Sequence, residues 1–308
     1  MKTSRLAVGV DIGGTKIAVG AVDAAGHIHA RAALPTEAEQ GFDRTVRRLG
    51  DAIARVLDQT DPGGELTGIG IGCTGPVDPA RGLINNPFTL GGWNRCDIVS
   101  PLGERFGVRV RLENDADAAA FGECFAGAGR GHDPVVMLTF GTGVGGAVII
   151  GGQIYRGAAG EHPELGHLAV AADGPTCYCG IRGCLESLAS GTAVGEAGRA
   201  AGFADAKAVF AAARVGQPAA REIAARALEA TATAAWTLFH TFLPRRLIFG
   251  GGVMEQDFDL YAEAARKRLA AATQFTTGVG QIVRASLGND AGLIGAAGLV
   301  LGAAGNAP

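Results

Sequence analysis

Residues 135 to 155 read VVMLTFGTGVGGAVIIGGQIY, and residues 6 to 22 read LAVGVDIGGTKIAVGAV. In each, a run rich in Val, Ile and Leu meets a short Gly/Thr segment and returns as a second such run. That pattern predicts a β-hairpin around a glycine-rich turn. The repetition of one strand-turn-strand unit is the main internal repeat of the chain. Its spacing is too long for a solenoid, and it points to two lobes built on one plan. A length of 308 residues agrees, because single hydrophobic cores stop growing at about 250 to 300 residues.

Outward from the first hairpin, HIHARAAL at 27 to 34 can add a third strand. GFDRTVRRLGDAIARVLDQ follows, with Phe42, Val46, Leu49, Ile53 and Val56 or Leu57 on one face at helical spacing. LTGIGIGCTGPVD reads as a buried strand ending in a Gly-Pro turn, and GVRVRLENDADAAAFGECFAG as a strand running into a helix. INNPFTLGGW, which separates them, reads as an irregular loop, where ligand-binding groups tend to sit. Helical patterns dominate from Gly191 to Leu243, and RRLIFGGGV is a strand ending in three glycines. IVRASL, the turn GND and a Gly/Ala-rich helix close the chain.

The composition narrows the function. With 47% hydrophobic residues and a formal net charge of -3, no polyanion-binding surface is advertised, so nucleic acid is not expected. Asp11 interrupts the N-terminal apolar run too early for a signal peptide, which predicts a cytoplasmic protein. The C-terminal AGLIGAAGLVLGAAGNAP is too short and too rich in Gly and Ala to span a bilayer, and it reads as a closely packed helix, with no membrane partner.

DIGGTK places Asp11, Gly13, Gly14, Thr15 and Lys16 in one turn: glycines that let the backbone approach a phosphate, a hydroxyl, and a cation. A plain hairpin turn would look the same. It is not a dinucleotide fingerprint, since the spacing is wrong and the chain returns as a strand. Gly141, Thr142 and Gly143 offer the same chemistry from the second unit, and two such turns at equivalent points suit a ligand with several phosphates. FGGGV, with Gly251 and Gly252, either starts a helix or passes close to a planar ring or ribose. In ENDADAAAFGE, Asp115 either caps a helix or serves as the general base that phosphoryl transfer needs.

The segment GEHPELGHLAVAADGPTCYCGIRGCLE carries His167, Cys177, Cys179 and Cys184. In a reducing compartment such clustering favours a metal over disulfides. Three sulfurs and one imidazole form a closed tetrahedral set with no position left for catalytic water, so the pattern predicts structural zinc. His162 is a rival ligand, but the H-E-x-x-H pattern is absent and Pro163 follows it. Cys73, Cys96 and Cys124 are scattered and read as small core residues.

DIGGTK, ENDADAAAFGE, TFGTGVGG, GEHPELGH, CYCGIRGCLE and IFGGGV occur in the order found in the ROK family of sugar kinases and sugar-responsive repressors, and the resemblance covers essentially the whole chain. Its most specific part is Glu-x-Gly-His followed by C-x-C-G-x-x-G-C-x-E. The resemblance implies a two-lobed α/β chain of the actin-like, hexokinase-like (ribonuclease H-like) fold. One lobe would take residues 1–117 with the C-terminal helix, about 291–308, packing back on it. The other would take residues 118–290.

The family resemblance further implies an ATP- and Mg2+-dependent hexose kinase with structural Zn2+, homodimeric or homotetrameric. Glucose phosphorylated on its C6 hydroxyl is the leading expectation. The alternatives are kinases of N-acetylmannosamine, N-acetylglucosamine, fructose or mannose, and a non-catalytic sugar sensor. At matching positions, Asp115 resembles the catalytic base, and Gly75, Asn86, Asn114, Glu164, His167 and Glu186 resemble the sugar-binding set. Asp11, Gly13, Gly14, Thr15, Lys16, Gly141, Thr142 and Gly143 fall on the phosphate turns, and Gly251 and Gly252 on the adenosine turn. Two departures stand out. The Gly-Glu-x-Gly-His core appears with two glutamates, Glu161 and Glu164, followed by the choice of Glu164 for its spacing to His167. TLGGW, with Thr89, stands where many glucose kinases have Asn-Leu-Pro-Gly-Trp.

Overall fold

The computed structural model describes residues 5–60, 64–271 and 280–302. Its chain divides into two compact units. In the first, β1 (Arg5–Ile12), β2 (Lys16–Asp23) and β3 (Ile28–Pro35) form an antiparallel meander, and α1 (Phe42–Asp58) follows. α1 buries Leu49, Ile53 and Val56, the face expected from the spacing. β4 (Glu65–Cys73) then enters parallel to β1.

β5 (Val77–Asp78), β6 (Leu83–Asn86) and β7 (Trp93–Asp97) form a separate three-stranded sheet. The stretch INNPFTLGGW is therefore not wholly irregular: Asn86 pairs with Trp93 across β6 and β7. The alternation was hidden because Asn85 and Asn86 are poor strand formers, and here Asn86 is fully buried with its side chain bonded inside the loop. α2 (Val99–Phe106), β8 (Val110–Asn114) and α3 (Asp115–Ala126) complete this run, with β8 parallel to β4.

In the second unit, β9 (Val135–Phe140), β10 (Val144–Ile150) and β11 (Gln153–Ile154) again form an antiparallel meander. The helices α4 (Leu185–Ala189), α5 (Gly191–Ala200), α6 (Ala206–Arg214) and α7 (Pro218–Phe242) follow. β12 (Arg246–Gly250), α8 (Met254–Ala270) and β13 (Gln281–Arg284) close the unit, and α9 (Ala291–Leu301) returns to the first. The sheet orders are β3-β2-β1-β4-β8 and β11-β10-β9-β12-β13. They are the same order of roles, so the repeat legible in the hairpins extends to the whole five-stranded sheet.

The first unit runs to Arg130 and regains Ala158–His162 and the chain from Asn289. It thus takes in α3, which the 1–117 division leaves out, because α3 packs along α9. Every residue of α9 is buried. The final residues of the expected C-terminal helix, 303–308, lie outside the described residues. Among the described residues no helix is long and apolar enough to cross a membrane.

The tight packing of α9 is a matter of missing side chains. A Cβ on Gly70 would lie 1.7 Å from the Ala296 carbonyl oxygen, and one on Gly295 would lie 1.7 Å from that of Ala118. β4 and α3 therefore touch α9 backbone to backbone, and overpacking of this kind costs about 1 to 3 kcal/mol or more. Gly295→Ala is expected to lower the apparent melting temperature by several degrees. Gly302→Ala, whose Cβ would approach only Phe121 at 3.8 Å, should leave it unchanged; scanning calorimetry of both variants checks this.

Candidate functional site

In the first unit the parallel strands β1, β4 and β8 end on one edge, where Ile12 stands beside Cys73 and Cys73 beside Asn114. Ligands of open α/β sheets bind outside the carboxyl ends of such strands. The turn after β1 is closed by the Gly13 amide donating to the Lys16 carbonyl at 3.0 Å. A Cβ on Gly14 would meet the Thr89 methyl at 2.6 Å. Thr15 and Lys16 are exposed on it.

Asp115 is the first residue of α3, and the cap itself is Asn114, whose Oδ1 accepts from the amides of Ala116 at 2.8 Å and Asp117 at 3.3 Å. Capping does not account for Asp115, because the neighbour supplies it. One Asp115 oxygen accepts from the Ala116 amide at 2.8 Å. Burial raises its proton affinity above the usual carboxylate range, opposed by that amide and by His162. Asp11, at the end of β1, is pushed up to about 6, by burial first and then by the charge of Asp115, against the pull of Lys16. Cys73 is raised by burial and by both aspartates. These three side chains share one electrostatic neighbourhood.

Gly75 lies against Asn114, whose Nδ2 would be 2.9 Å from a Cβ there. Asn86 donates to the Thr74 carbonyl at 3.1 Å and accepts from the amides of Phe88 and Thr89. It shapes the loop that carries Gly75. His162 donates to or accepts from Asp117 at 2.8 Å, with Asp117 fully buried. His162 is thus tied to α3 and stands apart from the cysteines. The sequence signal for Asp117 was a lone acid within the alanines of ENDADAAAF.

In the second unit the turn joining β9 to β10 is held from three sides. The Gly141 carbonyl accepts from the Gly191 amide at 2.8 Å, the Phe140 carbonyl accepts from Val253 at 3.0 Å, and the Val144 amide donates to Glu186 Oε2 at 2.8 Å. Thr142 is exposed at the tip. Gly251 has φ +88 and lies so close that a Cβ would meet the Phe140 carbonyl oxygen at 2.4 Å, so FGGGV packs on the turn, with Gly252 exposed beside it. A cavity of about 900 Å³ opens here, lined among others by Thr142, Gly143, Tyr178, Glu186, Thr192 and Arg226.

His167, Cys177, Cys179 and Cys184 come together with their ligand atoms all within 4.8 Å of one another. His167 Nδ1 lies 3.8 Å from Cys177 Sγ and 3.7 Å from Cys184 Sγ. Ligands at the bond lengths usual for zinc stand about 3.6 Å apart at the corners of a tetrahedron, so the set fits such an ion. Burial raises the Cys184 thiol, but hydrogen bonds from His167 and Ser187 outweigh it and bring the thiol down to about 7. His167 Nε2 faces the other way, 3.3 Å from the Tyr178 hydroxyl. Glu164 precedes this one-turn helix, and its charge acts on the Tyr178 phenol, whereas Glu161 belongs to the first unit and accepts from the Ala159 amide at 2.9 Å. Tyr178 escaped sequence reasoning because it sits as a spacer in the ligand loop.

The ROK family model matches residues 7–303. The chain is 37% identical to the glucokinase of Thermotoga maritima, over 95% of this chain and 96% of that one. A ROK hexokinase from Thermus thermophilus superposes with a TM-score of 0.84 at 36% identity, covering 95% of this chain and 96% of its own. A ROK family glucokinase from Streptomyces griseus, solved with glucose and AMPPNP, gives a TM-score of 0.74 at 35% identity, covering 96% and 98%.

Two buried carboxylates on one edge oppose stability. A carboxyl whose folded pKa is about 6 leaves the native state most favoured while protonated, and that advantage is lost as pH rises from about 4 to about 6, on the order of 3 kcal/mol in all. Asp11→Asn should therefore melt like the parent at pH 4 and at a higher temperature at pH 8, in thermal scans without ligand.

Proposed function

The chain belongs to the ROK family, and from that premise we propose that it is an ATP-dependent hexose kinase acting on the C6 hydroxyl of glucose. The observation that carries this reading is Asp115: a half-buried carboxylate of raised proton affinity at the edge where β1, β4 and β8 end. Its helix is already capped by Asn114.

Asp115 accepts the proton of the sugar hydroxyl as the oxygen forms its bond to the γ-phosphorus and the bond from that phosphorus to the β-phosphate oxygen breaks, leaving ADP. Lys16 and Thr15 on the first turn, and Gly141, Thr142 and Gly143 on the second, bind phosphate oxygens through amides, hydroxyls and one cation. Magnesium entering with the nucleotide would supply further neutralisation of the phosphate charge. Gly251 and Gly252 take the adenosine, a role supported by the packing of Gly251 against the Phe140 end of the second turn, with Gly252 exposed beside it.

For the sugar, we assign Asn114, Glu164, His167 and Glu186 as hydrogen-bonding groups, with Gly75 and Asn86 shaping the loop beside Asn114. Glu164 is preferred to Glu161 because it lies with His167, Tyr178 and Glu186, while the Glu161 carboxylate bonds to its own loop. Zinc on His167 Nδ1, Cys177, Cys179 and Cys184 would leave Nε2 as the protonated nitrogen, able to donate to a hydroxyl. A cytoplasmic location suits free thiols of this kind.

The first test is a coupled ADP-release assay over glucose, mannose, fructose and the two N-acetylhexosamines. Transfer to glucose with the highest kcat/KM is expected; no transfer to any sugar would favour a non-catalytic sensor. Asp115→Asn should lower kcat by about 10²- to 10⁴-fold with an unchanged circular dichroism spectrum. Near-normal turnover would remove Asp115 from the role. Metal analysis of protein purified without chelator should find zinc close to one per chain. Cys184→Ser should lose that zinc and melt at a lower temperature, because a structural site contributes directly to folding.

A further inference from the structure

Tyr178 stands between two cysteines of the metal cluster, in a turn closed by the Gly180 amide donating to the Cys177 carbonyl at 3.0 Å. Its ring is 84% exposed. The ring meets His167 edge-on, with centroids 5.2 Å apart and planes at 89°. Its hydroxyl reaches two polar groups at once: His167 Nε2 at 3.3 Å, and the Glu186 carboxylate. His167 Nδ1 faces the sulfurs; with that nitrogen on a metal, Nε2 would carry the proton and donate to the phenol oxygen, leaving the phenol to donate to Glu186.

A hydroxyl that accepts from an imidazole N–H and donates to a carboxylate is what a hexose would present to the same pair. We propose that the Tyr178 hydroxyl occupies, in the sugar-free protein, the position that one hexose hydroxyl takes, and that the hexose binds by displacing it. The inference rests on the hexose-kinase reading above. It makes Tyr178 an internal competitor that sets the sugar affinity.

Three features make the displacement feasible. The main chain around Tyr178 is fixed by the Cys177 amide donating to the Ile181 carbonyl at 2.9 Å and the Gly180 amide donating to the Cys177 carbonyl at 3.0 Å, so rotation of the side chain alone uncovers His167 and Glu186. An exposed ring has few apolar contacts to lose. Tyr178 and Glu186 also line the same cavity of about 900 Å³, so the ring has space to turn. A protein whose binding-competent form is only part of the population shows its affinity reduced by that fraction, and one or two hydrogen bonds on a surface tyrosine correspond to a competent fraction on the order of a tenth to a third.

The test is Tyr178→Phe, which keeps the ring and removes the competing hydroxyl. Hexose dissociation constants by calorimetry, KM and kcat by ADP release, and zinc per chain are measured beside the parent. The expected result is a hexose Kd and KM lower by about three- to tenfold, with kcat moving less than KM and zinc unchanged. Tyr178→Ala, lacking the ring as well, should shift Kd in the same direction. An unchanged Kd in both variants overturns the proposal. A raised Kd in Tyr178→Phe also overturns it, by making the phenol a sugar contact. If the parent itself binds and phosphorylates no hexose, the kinase reading falls and takes this inference with it; if the parent is active and Kd stays the same in both variants, only this inference falls.

Discussion

The hydrogen bond from the Val144 amide to Glu186 is the contact on which the second unit's site depends. It joins the Cys-rich loop to the glycine-rich turn between β9 and β10. Glu186 lies two residues beyond Cys184, which is fully buried, so the loop that gathers the thiols also sets where this carboxylate stands. On the opposite side of Val144, Gly166 approaches so closely that a Cβ would lie 1.8 Å from the Val144 carbonyl oxygen. One strand residue is thus gripped through its amide by the Cys-rich segment and through its carbonyl by the Glu-x-Gly-His segment. Both segments thus bear on the position of this one turn.

The first unit solves a different problem. Asp11 and Asp115 are both largely withdrawn from water, and the charge of Asp115 adds to burial in raising the proton affinity of Asp11, while burial is the main cause for Asp115 itself. A fold that keeps such a pair must hold it from elsewhere, and α9 does so. Its glycines and alanines let β4 and α3 approach backbone to backbone, while Leu293, Ile294, Leu299, Val300 and Leu301 are buried with the rest of the helix. Unfavourable charge sits at the sheet edge, while packing one layer behind it supplies stability.

Much of this was legible before any coordinates. The two hairpins, α1 with its buried face, and the strands that end in Gly-Pro and Gly-Gly-Gly depend on turn chemistry and periodicity within about twenty residues. The Cys and His spacing likewise reads locally, because a metal site needs its ligands on short loops with glycine at the bends. What was misread was also local in origin. Asn85 and Asn86 look like loop residues, yet they belong to β6 because Asn86 satisfies its buried amide within the fold. For Asp115 the stretch left cap and base both open, and the capping oxygen is that of Asn114.

The sequence alone therefore determined the repeated hairpins, the Cys/His cluster and the membership of the motifs in one family, all of which are written in short stretches with their own chemistry. The tertiary structure decided the partnerships between distant stretches: His162 with Asp117, Glu186 with Val144, Tyr178 with His167, and the equal strand order of the two sheets. The physical reason is that a hydrogen bond or a burial cost is set by whatever the fold brings alongside a residue, and neighbours of that kind leave no periodicity in the chain.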